Sequence, residues 1–117
     1  MKILNLIIKG EYFDKIIKGE KKQEFREIRP TTTSKYCEVD NDGSVILKDG
    51  IIIPRKYDAI QFFVGYNKDR ECALVEVKSA EIELFVDDDG NFIEYEYKGE
   101  IYLASQVVYN LGNIIKH

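Results

Sequence analysis

The sequence predicts an α+β, mainly β domain, a barrel or sandwich with one or two short helices. Three observations predict it. Short runs rich in β-branched and aromatic residues recur along the chain, each bounded by Gly, Pro, Asn or Asp. Only one early stretch carries a two-turn helical pattern. No internal repeat or linker divides the 117 residues, a length that suits a single domain spanning 1–117. Many short strands separated by regular turns belong to barrels and sandwiches.

The run Ile3-Leu4-Asn5-Leu6-Ile7-Ile8 reads as a first strand with most of its side chains buried. It lacks the small-residue cleavage site of a signal peptide, and Lys9-Gly10-Glu11 ends it early. Residues 11–19 then read as a helix. Tyr12, Phe13, Ile16 and Ile17 share one face, Glu11 and Asp14 sit in the first turn, and Lys15 and Lys18 sit in the last, where cations suit the dipole. Gly19 stands where a left-handed residue closes a helix. Residues 22–28 alternate as a strand. Glu24 and Arg26 fall on one face, and Phe25 falls on the other, expected to point to the core.

Pro30 and the Thr31-Thr32-Thr33-Ser34 run break that pattern. Strands at 36–39 and 44–48 are expected to flank an Asp40-Asn41-Asp42-Gly43 turn. Further strands are expected at 51–53, 58–64, 72–86 (one long strand or two joined by a bulge), 92–97 and 107–115. The four-residue spacing of Leu103, Val107 and Leu111 also allows a helix there, but Val107, Val108 and Tyr109 favour a strand. The aspartates at 40, 42 and 49 resemble a calcium loop. With no flanking helices, a tight β-turn explains them better, and the Asp87-Asp88-Asp89 run likewise reads as a hairpin tip.

Composition narrows the chemistry. Two cysteines without a CxxC spacing, Cys37 and Cys72, read as reduced thiols, and the chain is expected to be cytoplasmic. The one histidine is His117, the last residue, so Cys–His or Ser–His catalysis and a zinc site lack their components. No cofactor and no metal is expected. No apolar run approaches the roughly 18 residues of a membrane span. The formal net charge is −4, yet it is uneven: residues 1–35 carry a net +4 and residues 36–117 a net −8. Such asymmetry can mark a basic binding face on an acidic body.

The segment 12–26 resembles the start of ASCH domains, members of the PUA-like superfamily. Their pattern is a hydrophobic strand, a short helix and then G-x-K-x-x-E-x-R, which stands here as Gly19, Lys21, Glu24 and Arg26. The likeness covers the first quarter closely, and the remainder is compatible. Residues 31–56 exceed what the connection needs and are expected to form a hairpin insertion. The resemblance implies a partly open PUA-like β-barrel with one or two short helices and a cleft that binds RNA or a nucleotide-like molecule. Lys21 would meet a phosphate as a point charge. Arg26 would grip a phosphate or stack on a base. Glu24 would accept from a base amino group or hold Arg26, and Tyr66, in a polar turn, is the expected stacking residue.

The alternative is a hydrolase acting on modified nucleosides or RNA. A related amidohydrolase that removes acetyl groups from cytidine is thought to use a Lys and a Thr of this motif with a later Glu. The Lys matches Lys21, Glu76 is the candidate carboxylate, and Glu24 replaces the Thr. That replacement removes the hydroxyl nucleophile, and the pair Glu24 and Glu76 would activate a water only if their proximity raised the pKa of one of them. A protein-interaction domain without catalysis is the further alternative.

Overall fold

Alternation decides the first strand of the computed structural model, which describes all 117 residues. In β1 (Ile3–Ile8), Leu4, Leu6 and Ile8 are buried while Ile3 and Ile7 are exposed. The strand is therefore buried on one face only, not on both as the continuous apolar run suggested. A single covered face needs only every second side chain. β1 pairs in parallel with β5 (Ala59–Val64), which pairs antiparallel with β6 (Cys72–Leu84). The registers Leu4↔Ile60↔Val75 and Leu6↔Phe62↔Ala73 place buried residues in two rows across three strands. α1 (Gly10–Ile17) contacts β5 and buries Phe13 and Ile16, leaving Tyr12 exposed. It ends as expected, with Gly19 at φ 76° beyond the Lys18 cap.

The remaining elements are β2 (Gln23–Ile28), α2 (Thr33–Tyr36), β3 (Leu47–Lys48), β4 (Ile51–Ile52), β7 (Glu94–Tyr97), β8 (Glu100–Leu103) and β9 (Ser105–Lys116). The protein is thus mainly β with two short helices. One five-stranded sheet has the order β1-β5-β6-β9-β2, and β3–β4 and β7–β8 are two-stranded hairpins. The chain gathers into two compact units. The first comprises Met1–Glu24, Lys56–Ser79 and Tyr109–His117; the second comprises Phe25–Arg55 and Ala80–Val108.

Local chemistry explains the second unit's turns. After Pro30, the Arg29 amide donates to Thr32 Oγ1 at 3.0 Å and the Thr33 hydroxyl donates to the Arg29 carbonyl at 3.0 Å, opening α2. The strand expected at 36–39 is replaced by the end of this helical turn and by isolated bridges, Cys37↔Pro54 and Val39↔Val45. Asp40 Oδ1 accepts from the amides of Asp42 and Ser44, at 2.9 and 3.1 Å, and Asp87 Oδ1 serves Asp89 and Asn91 in the same way. These aspartates build turns with their own backbone. The β3–β4 and β7–β8 loops are the two-residue pairs Asp49-Gly50 and Lys98-Gly99, all with positive φ, the type I′ geometry that matches strand twist.

The aromatic side chains are less central than their number suggested. Phe13, Phe62, Tyr36 and Tyr109 are buried, but Tyr12, Phe25, Tyr66, Phe85 and Phe92 are exposed. Phe25 corrects an expectation: it lies on the open face of β2, 44% exposed, and Glu24 and Ile28 lie on the covered face. Ile28 shares its parity with Glu24, and burying that isoleucine takes the carboxylate to the same side.

Phe62 is fully buried in the middle strand of its row, so Phe62→Ala should cost about 3–5 kcal/mol of unfolding free energy, read by urea denaturation. Cys37 is buried, and burial pushes its thiol pKa up, whereas Cys72 is exposed. A thiol reagent at pH 8 should therefore label Cys72 alone in the native protein and both cysteines in denaturant. Equal native rates at the two sites would contradict this burial.

Candidate functional site: a lysine-lined cavity in the first unit

Glu24 is the one buried carboxylate of the chain, 6% exposed, and its neighbourhood organises the motif segment. A carboxylate taken out of water needs a partner. Lys21 supplies one, with Nζ 3.5 Å from Glu24 Oε1. The same ammonium donates to the Gln23 carbonyl at 2.6 Å. Gln23 is itself held: its Nε2 donates to Asn110 Oδ1 at 2.8 Å, and Asn110 Nδ2 donates to Ser79 Oγ at 2.8 Å. This side-chain chain crosses three neighbouring strands, β2, β9 and β6. The Leu111 amide adds a backbone bond to the Lys22 carbonyl at 2.8 Å. The Lys21 ammonium is therefore positioned by a carboxylate and by a carbonyl whose own residue is anchored.

A cavity of about 280 Å³ opens beside it. Ile16, Val75 and Leu111 give it apolar lining, and Lys21, Lys22 and Lys78 line it as well. The lysines come from two places, the loop after α1 and the strand β6, while Gly112 and Asn113 of β9 supply backbone. The first unit as a whole holds eleven Lys/Arg and eight Asp/Glu, a formal +3. The cavity can accordingly attract an anion and hold it by charge-assisted hydrogen bonds.

Glu76 lies next to this cavity by way of Gly112. A Cβ built at Gly112 would collide with Glu76 Oε1 and sit 2.9 Å from Cδ, so the carboxylate occupies the space of the missing side chain. From there Oε1 accepts from the Asn113 amide at 3.3 Å. The two candidate carboxylates are thus each engaged, Glu24 of the motif by Lys21 and Glu76 of β6 by β9 backbone.

The structure brings Lys21 and Glu24 together and places Glu76 beside Gly112. Arg26 is half-buried on β2, on the strand face it shares with Glu24 and Ile28, and it belongs to the second unit. Tyr66 projects from the turn between β5 and β6, 83% exposed, and is not part of the cavity wall. Lys22 was not anticipated as a site residue although it adjoins Lys21, and neither were Lys78, Gly112 and Asn113. Only the β6–β9 neighbourhood in the sheet brings the latter three to Lys21, and nothing local in sequence announces it.

Replacing Gly112 by Ala should displace the Glu76 side chain, because its flexible end is what the new methyl meets. The expected destabilisation is about 1–3 kcal/mol. It should shrink in a Glu76→Ala background, so a double-mutant cycle by urea unfolding should return a coupling well above zero.

Set against known proteins, the chain finds no counterpart: no family model, no curated protein and no solved structure matches it.

Proposed function

We propose that the protein is an RNA- or nucleotide-binding module of the PUA-like type, and that the Lys21–Lys22–Lys78 cavity receives a phosphate of the ligand. One observation carries this reading: Lys21 and Lys22 of the loop after α1 and Lys78 of β6 line one cavity at the G-x-K-x-x-E segment. The local charge supports it, since this unit is basic within a chain of net −4. Lys21 then acts as a preset cation, and the exposed ammonium groups of Lys22 and Lys78 close on the phosphate as it arrives. Binding is favoured over hydrolysis by the state of the carboxylates. Glu24 stands where the hydrolase pattern has its hydroxyl nucleophile and is paired with Lys21, and Glu76 accepts from a backbone amide of β9.

Lys21→Ala removes a charged partner of the buried Glu24 carboxylate and is expected to cost stability, so the exposed lysines give the cleaner test. Lys22→Ala and Lys78→Ala should each weaken binding of labelled single-stranded RNA or a nucleoside monophosphate by about tenfold, the scale of one charge-assisted hydrogen bond. With RNA, each should also lower the salt slope by about 0.7, the value for one phosphate contact on a single strand. Fluorescence anisotropy at several salt concentrations reads both quantities. Arg26→Ala and Tyr66→Ala, in the same assay, test the two remaining expected contacts.

A further inference from the structure

The second unit holds a cavity of its own, of about 590 Å³, a volume typical of small-molecule sites. It shares no residue with the lysine cavity, and its chemistry is opposite. One wall is tyrosine. Tyr95 of β7 and Tyr102 of β8 are cross-strand partners whose ring centroids lie 5.8 Å apart at an interplanar angle of 25°. Tyr97 meets Tyr102 edge-on, with centroids 6.4 Å apart. Both wall rings are half-buried, so each is fixed by packing and still open on the cavity side.

Carboxylates complete the wall. Glu100 and Asp42 line the cavity, and the Tyr102 hydroxyl donates to Glu100 Oε2 at 3.0 Å. A carboxylate has about four acceptor sites, so this bond leaves most of Glu100's capacity unused. Arg29 is the cation of the lining, and its guanidinium lies 3.5 Å from Glu27 Oε2. The hydrogen bond to Glu100 raises the Tyr102 pKa, and burial raises that of Tyr95, so both rings stay neutral at physiological pH. The unit as a whole holds six Lys/Arg against thirteen Asp/Glu, a formal −7.

We infer that this cavity binds a small organic cation, a free alkylamine in its ammonium form, lodged against the Tyr95 and Tyr102 rings and paired with Glu100. Neutral tyrosine rings present a negative face to a cation, and an adjacent carboxylate adds a directed hydrogen-bond acceptor. An anion meets the opposite field. A neutral ligand gains contact with the rings and at most an ordinary hydrogen bond from a carboxylate, without the charge attraction.

The test is an NMR titration of the full chain with butylammonium, tetramethylammonium, butanol and butyrate. Resonances of β7, β8 and the tyrosine rings are followed. Both ammonium probes should saturate, butanol should bind at least about tenfold more weakly than butylammonium, and butyrate should not bind; tenfold in affinity corresponds to about 1.4 kcal/mol. Glu100→Gln, an isosteric change at an exposed residue, should weaken butylammonium by a similar factor, with the spectrum confirming the fold. Tyr102→Leu should weaken both cations. Glu11→Gln, an exposed change in the first unit, should leave affinity unchanged. Butanol or butyrate binding as tightly as butylammonium, unaltered affinity in Glu100→Gln, or no saturation in the millimolar range overturns the proposal.

Discussion

A buried carboxylate needs a counter-charge, and at Glu24 that requirement shapes the whole motif segment. The ammonium that meets it stands three residues earlier, at Lys21, 3.5 Å away. For Lys21 to reach, the chain must reverse after α1 and enter β2 at once, and Gly19 supplies the reversal with its left-handed φ of 76°. The strand is then pinned by the Gln23–Asn110–Ser79 chain of hydrogen bonds. The structural role of the motif and the proposed ligand-binding role therefore do not compete. The pairing that stabilises the β2 entry also fixes an ammonium at the cavity, and a preset group loses less freedom when a ligand arrives. Glu24 also offsets part of the Lys21 charge, which leaves Lys22 and Lys78 as the cations whose field is least compensated.

Charge is divided between the two units, +3 in the first and −7 in the second. The net −4 of the chain averages over this division and hides it. A polyanion is attracted to one unit and repelled by the other, so the division favours a single binding face for RNA or a nucleotide. The acidic unit carries the two I′ hairpins and the exposed apolar residues Leu47, Ile51, Phe92 and Ile101. The two cavities follow the same rule as the units, with lysines around one and tyrosines with carboxylates around the other.

Much of this was legible in the sequence. The period of α1, its terminal charges and Gly19 located the helix to within a residue or two, and the long β6 followed from alternation over residues 72–86. What failed did so for physical reasons. A continuous apolar run cannot report whether one strand face or both are covered, so β1 was expected to be more buried than it is. Phe25 was assigned to the core on hydrophobicity, but the parity of Ile28 controls which side of β2 is covered, and Glu24 follows it inward. The expected turn at Asp40-Asn41-Asp42-Gly43 forms, bridged by Val39 and Val45, but the I′ turn of the β3–β4 hairpin at Asp49-Gly50 was not anticipated. In the candidate site, Lys21 and Glu24 were visible because they are local. Lys78, Gly112 and Asn113 depend on strand neighbours far apart in sequence, and no local pattern encodes them. Glu76 was named for a catalytic role, and its observed position, filling the space beside Gly112, depends on the same long-range pairing.

The central claim is that a phosphate enters the lysine cavity of the basic unit. The most direct measurement is a map of amide and side-chain chemical shifts as a nucleoside monophosphate is added to the intact protein. Saturable shifts concentrated at Lys21, Lys22, Lys78, Gly112 and Asn113 are the expected result. Saturable shifts confined to other residues, or none with either the monophosphate or a short single-stranded RNA, would contradict it.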